Sequence, residues 1–130
     1  MERRALQVVL TVLSLIPLLG LALVWSQGAA FFFRDGAAPV PNALDNQLRY
    51  LAGVYAGAVT GALWWAIPRI ERGAVPLRIA AGAVFLGGIG RCVSMAAVGP
   101  PGDPTMVAGL ALELGVVPLL VLWQRCIARP

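Results

Sequence analysis

Four long apolar runs, separated by short stretches rich in proline, glycine and charged residues, make up almost the whole chain. A helix needs about 20 consecutive, mainly apolar residues to cross the hydrocarbon core of a bilayer, and each run reaches that length. The helices are predicted at approximately residues 5–25, 44–67, 77–98 and 104–126. The pattern predicts an all-α protein, an integral membrane four-helix bundle with a single domain over residues 1–130.

The first run has a second interpretation, because a basic start before an apolar stretch also describes a signal peptide. The run extends from Ala5 to Trp25, which exceeds the roughly 7–15 residues of a signal-peptide core. We therefore expect an uncleaved helix. Pro17 should kink this helix, since proline has no N–H to donate to the carbonyl of Leu13.

Composition supports a membrane protein and argues against several kinds of chemistry. Hydrophobic residues make up 59% of the chain and charged residues only 12%, whereas a soluble domain carries roughly a quarter charged residues. The chain has no histidine, and Cys92 and Cys126 lie in different runs without C-x-x-C spacing. We therefore predict no metal site, no disulfide and no cofactor. All ten basic residues are arginine, which beside abundant alanine and glycine indicates a GC-rich bacterium.

The arginines predict the orientation, because basic residues that flank membrane helices favour the cytoplasmic side. Those predicted on one side are Arg3, Arg4, Arg69, Arg72, Arg78, Arg125 and Arg129, against Arg34 on the other. We expect both termini and the 68–76 connection in the cytoplasm, with the protein in the bacterial inner (plasma) membrane. The phenylalanine-rich connection around residues 31–33 is expected outside, on the membrane surface. Arginines at helix ends, rather than on one solvated face, argue against a nucleic-acid partner.

Small residues mark the faces through which membrane helices pack closely. The second run carries Gly53, Gly57 and Gly61 at four-residue spacing. The third run carries Gly87 and Gly90 on one face. This pattern does not distinguish a partner helix in the same chain from one in a second copy. We expect contacts within the bundle, and a homo-oligomer or a larger membrane complex is the alternative.

Arg91 and Glu113 lie far inside the third and fourth runs, where a charge costs at least ~2.5–3.5 kcal/mol. Such side chains turn inward and find partners. Arg91 lies ten residues before Pro101, and Glu113 lies twelve after it. At about 1.5 Å per residue, the depths of the two charges differ by only ~3 Å. We therefore predict an Arg91–Glu113 ion pair, roughly 10–15 Å below the outer surface.

Further polar residues lie toward the same outer half of the bundle. Asp45 and Arg49 form an i,i+4 pair, and Asn42 with Asp45 resembles the capped start of a helix. Pro118 should loosen the fourth helix by freeing the carbonyl of Leu114. The residues predicted to form an outward-opening polar pocket are Asp45, Arg49, Tyr50, Arg91, Ser94 and Glu113. The alternative is structural, in that the ion pair only locks the register of two helices.

Three stretches of the chain resemble a known family. They are residues 44–53 (LDNQLRYLAG), 85–91 (FLGGIGR) and 111–114 (ALEL), the last followed by Pro118. In order and spacing they look like the blocks of the domain of unknown function 4345 family, bacterial four-helix membrane proteins similar in outline to DoxX-like proteins. The resemblance implies that Arg49, Arg91 and Glu113 belong to the family pattern, and it implies no reaction. Relatives tend to read Asp-Ser-His-Phe-Arg where this chain has Asn46 and Gln47, so a role for a histidine there is not expected.

These observations leave three classes of function. The first is a small non-enzymatic membrane protein that binds a small amphiphilic or anionic ligand in the polar pocket, or is an accessory subunit of a membrane complex. The second is an oligomeric small-molecule or proton-coupled transporter that uses Glu113 as its protonatable group. Four helices without an inverted repeat would need an oligomer for alternating access. A membrane enzyme has the least support, because without histidine, lysine or a cysteine pair only carboxylates remain, and no catalytic residue is predicted.

Overall fold

A computed structural model of the chain describes residues 1–32, 40–72, 74–101 and 104–128. Within these ranges the regular structure is helical, without a strand. Four helical segments are long and apolar enough to cross a membrane, and we call them spans 1 to 4. They are Glu2–Phe31, Asn42–Arg69, Ala74–Ala97 and Pro104–Ile127. The predicted all-α architecture with four membrane-length helices is confirmed, whereas the predictions for Phe33, Arg34 and Arg129 fall outside the described residues.

Span 1 is interrupted close to Pro17, as the sequence predicts. It consists of two α-helices, Glu2–Leu13 and Leu15–Gln27, followed by a short 3₁₀ turn, Gly28–Phe31. The interruption falls at Ser14, three residues before Pro17, because the proline leaves the carbonyl of Leu13 without its helical donor. Ser14 is fully buried, and its hydroxyl accepts a hydrogen bond of 3.0 Å from the indole of Trp64. The break thus places a polar contact between spans 1 and 2.

Two glutamines hold the bundle together at the end where both termini lie, which we call the termini end. Span 2 is an α-helix, Asn42–Ala66, that tightens into a 3₁₀ turn, Ile67–Arg69. Gln7 donates to the carbonyl of Ile67 at 2.7 Å, and the fully buried Gln124 donates to that of Ile70 at 3.0 Å. Carbonyls at a helix end have no partner in their own helix, so these amides supply one.

The start of span 2 differs from the capped start predicted at Asn42. Asn42 already lies in the first turn of the helix, Pro41 takes the capping position, and no side chain caps it. The Asp45 carboxylate is bonded elsewhere, to a different helix and to Arg49. The prediction of a capped start at Asn42 is wrong, because the helix begins one residue earlier than predicted, directly after Pro41.

The apolar core lies toward the termini end. Span 1 packs against span 2, span 2 against span 3, and span 3 against span 4, which returns to span 1. The core consists of Leu6, Leu10, Val59, Leu63, Ala66, Ile70, Leu77, Ala80 and Leu120. In their most apolar windows only 11% of span 3 and 6% of span 4 is buried, against 28% of span 2. Spans 3 and 4 therefore present most of their surface outward, as lipid-facing helices do.

Span 4 widens in its middle. It has an α-helix, Pro104–Ala111, then a π-helical turn, Leu112–Val116, and a second α-helix, Val117–Ile127. In the π turn the N–H of Val117 reaches back to the carbonyl of Leu112, five residues earlier. The loosening predicted beside Pro118 takes this form, and the widened turn contains Glu113.

The glycine faces do not pack as predicted. A Cβ added at Gly57, Gly61, Gly87 or Gly90 would have no described atom within 4 Å, and at Gly53 it would meet only the ring of Trp25, at 3.5 Å. The expectation of tight contacts within the bundle is therefore wrong for these four glycines. Spans 2 and 3 meet through larger core side chains, which rotates both glycine faces outward.

Candidate functional site

Arg91 and Glu113 form the ion pair that counting from the turn predicts. The Nε of Arg91 donates to Oε2 of Glu113 at 3.0 Å and to Oε1 at 3.2 Å. The Arg91 side chain is 46% exposed and that of Glu113 only 16%. Span 3 supplies the cation from a regular helix, and span 4 supplies the carboxylate from its π turn. The pair joins the two spans that are otherwise the least buried.

A glycine that the predicted faces did not include brings these spans together. A Cβ on Gly88 would lie 2.7 Å from Cδ2 of Leu114 and 3.1 Å from Cβ of Glu113. Real Cβ atoms do not come as close as the first distance, so a side chain at this position would require Leu114 to shift. Gly88 thus sets the separation at which Arg91, three residues on, reaches its partner.

A central cavity of about 130 Å³ lies between all four spans. Apolar side chains form most of its wall, among them Leu10, Val59, Val84 and Leu120, with one from each span. Glu113 and Tyr55 are the polar side chains among its described lining residues. Tyr55 also lies near enough to interact electrostatically with both Glu113 and Arg91. The cavity is therefore apolar with one polar edge.

Sequence reasoning singled out Tyr50 and missed Tyr55. Tyr50 is 62% exposed and lies on the wall of neither cavity described here. Tyr55 precedes the buried Val59 and Leu63 at four-residue steps, which places all three on one helical face. This four-residue spacing is the sequence signal that could have placed Tyr55 on the inner face of span 2.

A second cavity, which we call the turn cavity, lies between spans 3 and 4 beside their connection. Its volume is about 310 Å³. Its described lining residues are Arg91, Ser94, Met95, Gly99, Pro100, Pro101, Met106 and Leu110. Arg91 and Ser94 are the polar side chains of that set. Glu113 lines the central cavity and Arg91 lines the turn cavity, so each residue of the ion pair borders a different cavity.

Asp45 and Arg49 belong to a different contact, which corrects the prediction of a single polar pocket. The Asp45 carboxylate accepts from the backbone N–H of Ala29 at 2.7 Å and from Nε of Arg49 at 2.8 Å. Arg49 also donates to the carbonyl of Trp25, and the Trp25 indole donates to the carbonyl of Arg49 at 3.1 Å. We call this set the clasp. It ties the end of span 1 to the start of span 2, at the end of the bundle opposite the termini, the Trp25 end.

The clasp gives the two charges a structural role. Arg49 donates a hydrogen bond to a carbonyl near the end of a helix. Asp45 accepts one from an N–H of the 3₁₀ turn that follows that helix. Neither residue lines the central cavity or the turn cavity. Of the six residues predicted to share one pocket, the turn cavity brings Arg91 and Ser94 together, and the ion pair adds Glu113.

Comparison with known proteins bears on the whole bundle. A family model described as "Domain of unknown function (DUF4345)" matches residues 5–124. The chain belongs to this family. No curated protein and no solved structure gives a significant match. The match to DUF4345 includes most of each of the four spans and all residues of the clasp and the ion pair.

Proposed function

We propose that this multi-pass membrane protein binds a small amphiphile between its helices. The apolar body of the ligand occupies the central cavity, and its polar group meets Glu113 and Tyr55. The observation that carries this proposal is the composition of the cavity wall, whose described lining residues are apolar except for these two side chains. Ligand sites are mostly apolar cavities in which a few convergent polar groups fix orientation.

The size of the cavity limits the ligand. An engineered apolar cavity of about 150 Å³ in another protein holds benzene. The central cavity, at about 130 Å³, therefore admits a single small ring or a short chain of carbon atoms. A longer amphiphile would leave the remainder of its apolar part between the helices and the surrounding lipid.

The arginine distribution supports an orientation for this site. The arginines at the termini end include Arg3, Arg69 and Arg72, and such clusters favour the cytoplasmic side. With the Trp25 end outward, the polar edge of the central cavity lies in the outer half of the membrane. The membrane of this proposal is the bacterial inner membrane, in line with basic residues that are all arginine.

Filling the central cavity tests the proposal. Ala81 lines the cavity, whereas Ala83, two residues along the same span, is exposed and does not. We expect Ala81→Leu to abolish retention of a small molecule when the protein is purified in a lipid nanodisc, because the added carbons occupy the space of the ligand. Ala83→Leu should retain the same molecule. Native mass spectrometry reads the bound mass directly.

Two results would contradict the proposal. One is a wild-type protein that carries no bound molecule under conditions that preserve the bundle. The other is equal retention by the Ala81 and Ala83 variants, which would place the bound molecule outside the cavity. Circular dichroism of both variants should show an unchanged helix content, which separates loss of binding from loss of the fold.

A further inference from the structure

Among the described residues, only Glu113 pairs with the Arg91 guanidinium, and it leaves the two terminal nitrogens without a partner there. Both hydrogen bonds to Glu113 come from Nε, and no described residue accepts one from the two terminal nitrogens. A guanidinium carries donors on all three nitrogens and has no acceptor. The side chain is 46% exposed, so much of it is open to a molecule from outside the chain. In a bilayer, unsatisfied donors are costly, and an acceptor from outside the chain would remove that cost.

The turn cavity provides the space for such an acceptor. It extends along spans 3 and 4 from Arg91 to Pro100 and Pro101 in the connection. By the helical rise, Arg91 lies about 10 Å below the end of its helix at Val98. The cavity therefore connects a guanidinium at the depth of the lipid chains with the surface region, where head groups and water are present.

The chemistry of the cavity wall favours an anion. Its described lining residues include one cation, Arg91, and no carboxylate. Ser94, three residues after Arg91 on the same helical face, adds a hydroxyl. At roughly 30 Å³ for each water molecule, a cavity of about 310 Å³ admits a tetrahedral oxyanion together with several waters. Met95, Met106 and Leu110 supply apolar walls beside it.

We propose that the turn cavity is a phosphate-binding site, separate from the amphiphile site of the central cavity. The terminal nitrogens of Arg91 hold two phosphate oxygens, and the Ser94 hydroxyl donates to one of them. A guanidinium matches a phosphate in this paired geometry and is the preferred cation for it. The phosphate is that of a membrane lipid head group or a free phosphate ion, and the test distinguishes these sources.

The ion pair makes the two sites respond in opposite ways to one substitution. Glu113 competes with the phosphate for the charge of Arg91, so Glu113→Gln should tighten phosphate binding about tenfold, the size of one charge-assisted hydrogen bond. The same substitution removes the carboxylate that faces the central cavity and should weaken amphiphile binding there. If the substitution changes binding at only one of the two sites, that result shows which of the two proposals has failed.

The experiment uses the full chain in maltoside micelles, which contain no phosphate. Dioleoylphosphatidylglycerol and dioleoylglycerol, which differ by the phosphoglycerol head group, are titrated in parallel, and native mass spectrometry counts the bound molecules. We expect the wild type to bind the phospholipid at least tenfold more tightly than the neutral lipid, and Glu113→Gln to increase that preference. The double variant Arg91→Gln/Glu113→Gln, which leaves no charge unpaired, should abolish it.

Two further variants complete the test. Arg78→Gln removes an exposed arginine from the same span at the termini end and should leave the preference unchanged. Ser94→Ala should weaken phospholipid binding by at least about tenfold, the loss of one hydrogen bond to a charged group, and it remains informative if the double variant fails to fold. Displacement of the lipid by millimolar inorganic phosphate identifies a free-ion site, and its absence identifies a lipid head-group site.

Equal affinity for the two lipids would overturn the proposal unless inorganic phosphate itself binds with the same dependence on Arg91. Retention of the preference by the folded double variant, or an equal loss in Arg78→Gln, would overturn it as well, because the selectivity would then come from the overall positive charge of the protein.

Discussion

The backbone at Gly28 decides how the first two spans join. Its φ of 63° and ψ of −153° fall in a region that essentially only glycine occupies. A Cβ there would collide with Oδ1 of Asp45 and lie 2.5 Å from Nη2 of Arg49. Because Gly28 has no side chain, the second α-helix of span 1 can end there, and Asp45 and Arg49 can approach the backbone at this point.

Gly28→Ala should destabilise the protein by about 2–4 kcal/mol, the sum of the strained backbone and a displaced Asp45 carboxylate. Gly20→Ala is the matched control. Gly20 also lies in span 1, its added Cβ meets no described atom within 4 Å, and alanine favours a helix. Reversible unfolding in mixed micelles of maltoside and dodecyl sulfate measures both variants. A Gly28 variant as stable as the control would show that the clasp does not hold spans 1 and 2 together.

Spans 3 and 4 pack against each other over several turns and come closest together at Gly88. Gly88 contacts Leu114 and Glu113, while the neighbouring Gly87 turns away. The π turn shifts the register of span 4 at this point and carries Glu113 toward Arg91. This contact and the ion pair add to the contacts that the two spans make in the apolar core.

Gly88→Ala should therefore separate spans 3 and 4, at a cost of about 1–3 kcal/mol for overpacking. The adjacent Gly87→Ala, which meets no described atom, should be neutral. Unfolding measurements give the change in free energy. A distance between spin labels attached to exposed positions of the two spans should increase in the Gly88 variant alone. Equal behaviour of the two variants would contradict the close approach.

At the scale of the whole molecule, polarity divides the bundle into two halves. The termini end has the apolar core and the surface pair of Arg3 with Glu71, at 2.9 Å. The Trp25 end has the clasp, and both cavities reach toward it with their polar side chains. If the arginines orient the protein as in other membrane proteins, this second half faces outward.

Chemical labelling of Cys126 tests that orientation. It is exposed near the end of span 4, and the other cysteine, Cys92, lies inside span 3 beside Arg91. In a Cys92→Ser variant, a membrane-impermeant maleimide should fail to label intact spheroplasts and should label Cys126 once the cells are broken. Labelling of intact spheroplasts would show the opposite orientation, with both cavities toward the cytoplasm. Wild-type protein labelled in detergent is the control for reactivity.

Local sequence determined the four spans, the break before Pro17 and the partner of Arg91. The spans follow from the length of the apolar runs, and the break follows from a donor that proline lacks. The ion pair follows from equal depth on either side of a short connection, because the helical rise converts residue number into depth. Each of these properties depends on neighbours along the chain or on one connection.

Tertiary structure alone decided which face of each helix meets another. Gly57, Gly61, Gly87 and Gly90 carry the same small-residue signal as a packed face, yet among the described glycines of spans 3 and 4 it is Gly88 that makes the close contact. Asp45 and Arg49 form the predicted ion pair, but the pair belongs to the clasp between spans 1 and 2 and does not line a pocket. The rotation of a helix about its axis results from all its contacts at once, so residue spacing gives the candidate faces and the assembled bundle selects among them.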